Sequence, residues 1–104
     1  MSEQSNEKET LSVPRVELLR QAAEIIAGDR NKQYGDPSIN FHRTAQIWSV
    51  IMGINFTEED VAMMMIGIKV ARYANKNSGF QADTWRDIAG YAGCGFEVGS
   101  VEIE

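Results

Sequence analysis

Apolar residues recur along most of this chain at spacings of three and four, the period of an α-helix that buries one face. The first such run begins at Pro14 and ends at Gly28, a residue type that often terminates helices. A second run follows Asp36 and Pro37, which form an N-cap and a first-turn proline, and ends near Gly53. These patterns predict two helices joined by a short polar connector.

The second half of the chain predicts two further helices. Thr57 and the three acidic residues after it resemble a helix-capping sequence. Residues 61–74 are apolar almost all round, which predicts a buried central helix. A loop over residues 75–81 precedes a fourth helix from about Asp83 to about Val98. Because no run alternates with the period of a strand, we expect an all-α fold, a four-helix bundle-like single domain.

Composition limits the classes of function. The first segment, residues 1–12, is too polar to offset the entropy of ordering, so we expect a disordered tail before a single domain over residues 13–104. With 15 acidic and 10 basic residues the net charge is -5, which argues against generic DNA or RNA binding. No apolar run is long enough to span a membrane, and the lone Cys94 has no partner for an internal disulfide. We therefore expect a soluble, cytoplasmic protein.

The connector between the first two helices carries the first candidate chemistry. Arg30 offers a planar guanidinium suited to phosphate or carboxylate, Lys32 a point charge and Tyr34 a stacking surface. The N-terminus of the next helix directs free N–H groups toward any anion nearby. The alternative is an ordinary polar turn between two helix caps. That alternative accounts for the glycines of the connector better than for Arg30 and Tyr34.

The third and fourth helices carry a second set of charges. Lys69 and Arg72 share one face of the third helix, and buried cations need partners. Asp83, Asp87 and Tyr91 follow at four-residue steps on the fourth helix. Two carboxylates at that spacing could bind Mg²⁺ together with substrate phosphates. The alternative is structural: Asp83 caps the helix, while Asp87 neutralises Lys69 or Arg72.

Three glycines interrupt the fourth helix. Gly90, Gly93 and Gly95 each cost about 1 kcal/mol relative to alanine within a helix, so something must compensate. They allow another helix to approach closely, from the same chain or from a second copy, or they make room for a flat ligand. We favour close helix packing.

Three separated segments resemble a known family when they are taken together. They read GDRNKQYGDPSINFHRTAQIW, TEEDVAMMMIGIKVAR and DTWRDIAGYAGCGFE. In order and spacing they resemble small phage and prophage proteins of unassigned function, over about residues 16–97. More distantly they resemble the phage nucleotide-modification-associated domain and the MazG-like all-α nucleoside triphosphate pyrophosphatases.

The distant resemblance implies a helical, oligomeric protein that binds Mg²⁺ through carboxylates on facing helices and cleaves between the α and β phosphates. Carried over by position, Asp83 and Asp87 match the second acidic motif, and Lys69 and Arg72 would bind phosphates. The first acidic motif, an E-x2-E pair inside a helix, is replaced here by residues 63–68, which carry no acid.

Three hypotheses follow. In the first, a homo-oligomer binds a nucleotide or cyclic nucleotide without turnover, so as to sequester a signal of host defence in the host cytoplasm. In the second, the protein is a Mg²⁺-dependent pyrophosphohydrolase. In both, cations hold the phosphates, while Tyr34, Trp85 or Tyr91 contacts the rest of the ligand. In the third, the protein is a non-catalytic protein-interaction module and all these charges are structural.

Overall fold

The computed structural model describes residues 13–28, 36–75 and 79–101, and within these ranges the chain forms four helices and no strand. They are α1 (Pro14–Ala27), α2 (Pro37–Met52), α3 (Glu58–Tyr73) and α4 (Ala82–Val101). The predicted all-α fold is confirmed. The expected tail over residues 1–12 lies outside the described part of the chain. None of the helices in the described ranges is long and apolar enough to cross a membrane.

The predicted caps define where the helices begin and end. Asp36 Oδ1 accepts the backbone N–H of Ser38 at 2.9 Å at the start of α2, and Gly53 ends that helix in the left-handed conformation, with φ of 70°. At the start of α3, the Thr57 hydroxyl accepts the Asp60 N–H at 3.1 Å. The Asp60 carboxylate in turn accepts the Thr57 N–H at 2.9 Å. This reciprocal pair is a capping box, which satisfies donors that the helix itself leaves free.

The hydrophobic core lies where α2, α3 and α4 meet. It is formed by Phe41, Ala45, Val61, Ala62, Cys94 and Val98. Partly buried aromatic rings surround it, and two of them, Trp48 and Phe56, meet edge to face with centroids 6.1 Å apart. α1 packs against α4, on the side of α4 opposite to α3. The core is small, and α3 and α4 share the most extensive helix contact.

The glycines of α4 allow neighbouring helices of the same chain to approach closely. A Cβ added at Gly95 would lie 2.9 Å from the Cβ of Ala62 in α3, which is closer than real Cβ atoms come. A Cβ at Gly93 would lie 3.2 Å from the side chain of Ile26 in α1. The expectation of close helix packing is confirmed, and the neighbours lie within the chain.

One detail of the sequence prediction is wrong. α3 is not buried all round: Val61 and Ala62 face the core, whereas the side chains of Met63 and Val70 are 64% and 52% exposed. Within the described ranges one face of α3 meets other helices, and the apolar residues of its outer face are exposed. α4 begins at Ala82, close to the predicted start at about Asp83, and Asp83 lies in its first turn, whereas the structural alternative had placed it at the cap.

Candidate functional site

A cleft of 320 Å³ opens where the end of α3 meets the start of α4. We call it the aromatic cleft. It is lined by Arg72, Tyr73, Asn75, Gly79, Phe80, Gln81, Thr84 and Trp85. Its volume lies at the small end of the range for small-molecule sites, about 300–1,000 Å³.

Antiparallel packing of α3 and α4 brings the aromatic residues together. Tyr73 and Trp85 meet edge to face, with ring centroids 5.8 Å apart and planes at 70°. Phe80, in the segment before α4, is 84% exposed. Thr84 is buried beneath the cleft, and its hydroxyl donates to Gln81 Oε1 at 3.4 Å. The cleft therefore exposes parts of three rings over a polar floor, which favours a flat ligand.

Arg72 supplies the positive charge of the aromatic cleft. It lies in the last turn of α3, is solvent-exposed and forms no ion pair with any of the described residues. A guanidinium presents five N–H donors in a fixed plane and binds phosphate or carboxylate through two bonds at once. A cation beside aromatic rings suits a ligand that carries both a phosphate and an aromatic ring.

One turn earlier, Lys69 is already neutralised. Its Nζ lies 3.1 Å from Asp87 Oδ2, and the side chains of the two residues are 14% and 20% exposed. This ion pair is the structural alternative that the sequence left open for Asp87. No group of three or more His, Cys, Asp or Glu side chains that could hold a metal occurs within the described ranges. Binding of Mg²⁺ by Asp83 and Asp87 stays a prediction.

Among the described residues, Tyr91 lies away from the aromatic cleft. Tyr91 stacks against Phe41, with ring centroids 6.4 Å apart, and packs on the core. Arg30, Lys32 and Tyr34 lie outside the described residues. Of the predicted ligand-binding residues, Arg72 and Trp85 line the cleft, and Lys69 lies next to it along α3.

A second and larger cleft, of 690 Å³, lies between α2, α3 and the end of α4. Three carboxylates, from Asp36, Glu58 and Glu97, line it together with His42 and Arg43. His42 Nδ1 lies 2.6 Å from Glu58 Oε1. Hydrogen bonds from the backbone and the hydroxyl of Ser38 lower the pKa of Asp36. Because acids outnumber cations there, this cleft suits a phosphate less well than the aromatic cleft does.

Two residues that line the aromatic cleft were not among the predicted site residues, and the buried contact of Arg86 away from the cleft was not predicted either. Tyr73 and Phe80 line the aromatic cleft, and the signal for both was an aromatic residue next to polar loop positions. Arg86 donates to Gln21 Oε1 at 3.2 Å and so connects α4 to α1. Its buried Nε has no hydrogen-bond partner within the described part of the chain. Nothing in the helical pattern distinguished Arg86 from an exposed arginine.

Fold and site together define an all-α domain with a cationic, aromatic cleft between its last two helices. A family model described as a domain of unknown function, DUF6378, matches residues 17–99, and the chain belongs to that family. The family has no assigned function, which agrees with that part of the predicted resemblance. No solved structure matches the chain.

Two phage proteins are similar to the chain. It is 48% identical over 77 residues to the Gene 55 protein of Mycobacterium phage L5, a match that covers 73% of this chain and 48% of the relative. It is 42% identical over 77 residues to the Gene 55 protein of Mycobacterium phage D29, a match that covers 74% of this chain and 50% of the relative. The chain thus spans about half the length of the curated relatives it matches. These matches place it among phage proteins of unknown function.

Proposed function

We propose that this phage protein binds a nucleotide-type ligand in the aromatic cleft. The observation that carries the proposal is the exposed Arg72 guanidinium, without an ion-pair partner in the described ranges, beside the rings of Tyr73, Phe80 and Trp85. Aromatic side chains stack on bases of any sequence, and a guanidinium binds phosphate. The exposed rings and the exposed guanidinium together support this ligand class over a purely apolar one.

Binding without efficient turnover is the activity that the site supports best. Asp87, one of the two proposed Mg²⁺ ligands, is held by Lys69 at 3.1 Å, and the central part of α3 carries no acid to complete a metal cage. A bound phosphate would therefore be held by cations rather than attacked by a metal-activated water. Asp83 stays available to a Mg²⁺ ion that accompanies the phosphates.

The biological role that we propose is sequestration of a nucleotide signal, including cyclic nucleotides, that host cells use in defence. The phage relatives support this role, because a phage gains from removing such a signal. Arg30, Lys32 and Tyr34 remain proposed contributors from the connector before α2. The same cleft could serve an enzyme, so the experiment must separate binding from hydrolysis.

Titration of tryptophan fluorescence tests the proposal. In a Trp48→Phe background, Trp85 is the remaining tryptophan, and nucleoside mono-, di- and triphosphates and cyclic nucleotides should quench it at micromolar to millimolar concentrations. Arg72→Ala should weaken binding of the phosphorylated ligands by about ten- to a hundredfold, as expected for loss of a charge-assisted contact of about 1.5–3 kcal/mol. Arg43→Ala, in the acidic cleft, is the matched control and should bind normally.

The fate of the ligand decides between the two activities. After incubation with Mg²⁺ and heating, the bound nucleotide should be recovered intact. Recovery of a monophosphate and pyrophosphate would support the pyrophosphohydrolase alternative instead. Absence of quenching by every nucleotide would leave the protein-interaction alternative in place.

A further inference from the structure

The outer face of α3 is apolar, exposed and free of charge over three turns. It is formed by Met63, Met64, Gly67, Val70, Ala71 and Ala74, all of which are exposed. These residues follow one another at spacings of one, three and four, so they share one side of the helix, opposite the side that carries Lys69. Exposed helix faces normally carry charged residues, and apolar faces of this kind mark sites of association.

Gly67 lies at the centre of this face, and no contact with the residues that the structure describes accounts for it. A Cβ added at Gly67 would meet nothing within 4 Å, in contrast to Gly95, where Ala62 leaves no room. A glycine in the middle of a helix is costly, because the unfolded chain gains more freedom than it does with alanine. Close approach by an external backbone is a physical use for the missing side chain.

We propose that two copies of this chain associate through the outer faces of α3, packed antiparallel about a twofold axis at Gly67. Such a face must be complementary to itself. On the helix surface, Met63 and Val70 lie on one side of Gly67, while Met64 and Ala71 lie on the other. The twofold axis therefore places each methionine of one copy against the smaller side chain of the second copy, and the two Gly67 residues against each other.

The charges of α3 favour the antiparallel orientation. The first turn carries Glu58, Glu59 and Asp60, and the last turn carries Arg72. Antiparallel packing keeps the acidic first turns of the two copies apart and aligns the two helix dipoles favourably. In a parallel pair the two acidic turns would lie side by side and repel. Arg72 follows Gly67 by five residues and so projects from another side of α3, where it lines the cleft. The proposed interface does not use Arg72 and stands independently of nucleotide binding.

Crosslinking at the proposed twofold axis tests this arrangement. Gly67→Cys should form a disulfide-linked dimer under mild oxidation, because closely packed antiparallel helices bring the two Cα atoms within disulfide range, about 4.4–6.8 Å. Leu19→Cys, at an exposed position of α1, is the matched control and should crosslink far less. The natural Cys94 is buried and does not compete.

The mass in solution provides the second readout. The full chain should sediment as a dimer that dissociates on dilution, and Met64→Glu should shift it to the monomer while circular dichroism shows the same helix content. Leu19→Glu should leave the dimer unchanged. A wild-type chain that is monomeric at every concentration would overturn the proposal. So would a dimer that Met64→Glu leaves intact, or a larger assembly whose crosslinks avoid residue 67.

Discussion

At the scale of the residue, single side chains at helix starts replace backbone partners that the helix lacks. Thr57 and Asp60 satisfy each other's backbone N–H groups at the start of α3, and Asp36 accepts from Ser38 at the start of α2. The sequence predicted all of these caps, because capping depends on residue types only two or three positions apart. Local chemistry of this kind needs no knowledge of the tertiary structure.

Replacing Thr57 removes one half of the capping box. Thr57→Ala should lower the free energy of unfolding by about 1 kcal/mol, because the Asp60 N–H loses its acceptor. Urea denaturation followed by circular dichroism measures the change. Thr57→Ser keeps the hydroxyl, so its free energy of unfolding should be close to that of the wild type. Equal stability of the alanine and serine variants would show that the box is not formed in solution.

The cap at Asp36 should make stability depend on pH in a defined direction. Its pKa is lowered in the folded state by the hydrogen bonds from Ser38, so its contribution is present above the ordinary aspartate pKa of 3.8 and is lost as the pH falls through the lowered value. Asp36→Ala should therefore lower the urea midpoint at pH 7 and differ less from wild type in strong acid. Asp36→Ser caps without titrating, so its difference from Asp36→Ala should persist in acid.

Gly95 tests close packing between α3 and α4. Gly95→Ala should lower the free energy of unfolding by about 1–3 kcal/mol, because the new Cβ would lie 2.9 Å from that of Ala62. Adding Ala62→Gly removes the clash and should restore part of the loss. A Gly95→Ala variant more stable than the wild type would mean that the two helices are further apart than the structure shows.

At the scale of the element, α3 and α4 are connected by the half-buried pair of Lys69 and Asp87. The sequence predicted that Lys69 and Asp87 could face each other across the two helices. It left open whether Asp87 contacts a cation of the protein or a metal. Only the register of the two helices decides this, and that register depends on contacts between residues far apart in the chain. For the same reason, the prediction that α3 is buried all round was wrong. The helix carries more apolar residues than the neighbouring helices cover.

A double-mutant cycle measures the role of this pair. Lys69→Met and Asp87→Asn should each destabilise the protein, and the pair should show a coupling energy of about 1–2 kcal/mol, above the range of about 0.2–1 kcal/mol for exposed pairs. Thermal unfolding of the four proteins provides the values. Strictly additive effects, with Mg²⁺ stabilising the wild type but not Asp87→Asn, would assign Asp87 to a metal instead.

At the scale of the whole molecule, the four helices, their order and most of their ends could be predicted from the sequence, because each is set by local periodicity and caps. The candidate site could be predicted only in part. Arg72 and Trp85 were found from charge and motif, whereas Tyr73 and Phe80 enter the cleft only because α3 and α4 meet there. Tyr91 stacks against Phe41 beside the core, and a contact of Tyr91 with a ligand stays a prediction.

The central claim is that the aromatic cleft binds a nucleotide, and the two tryptophans allow a direct test within one protein. Trp85 lines the cleft, whereas Trp48 packs against Phe56 near the core. In ¹H–¹⁵N correlation spectra recorded during titration with a nucleotide panel, at least one nucleotide should shift the indole N–H signal of Trp85 in a saturable manner and leave that of Trp48 in place. Unchanged Trp85 signals with every nucleotide, or saturable shifts confined to Trp48, would contradict the account.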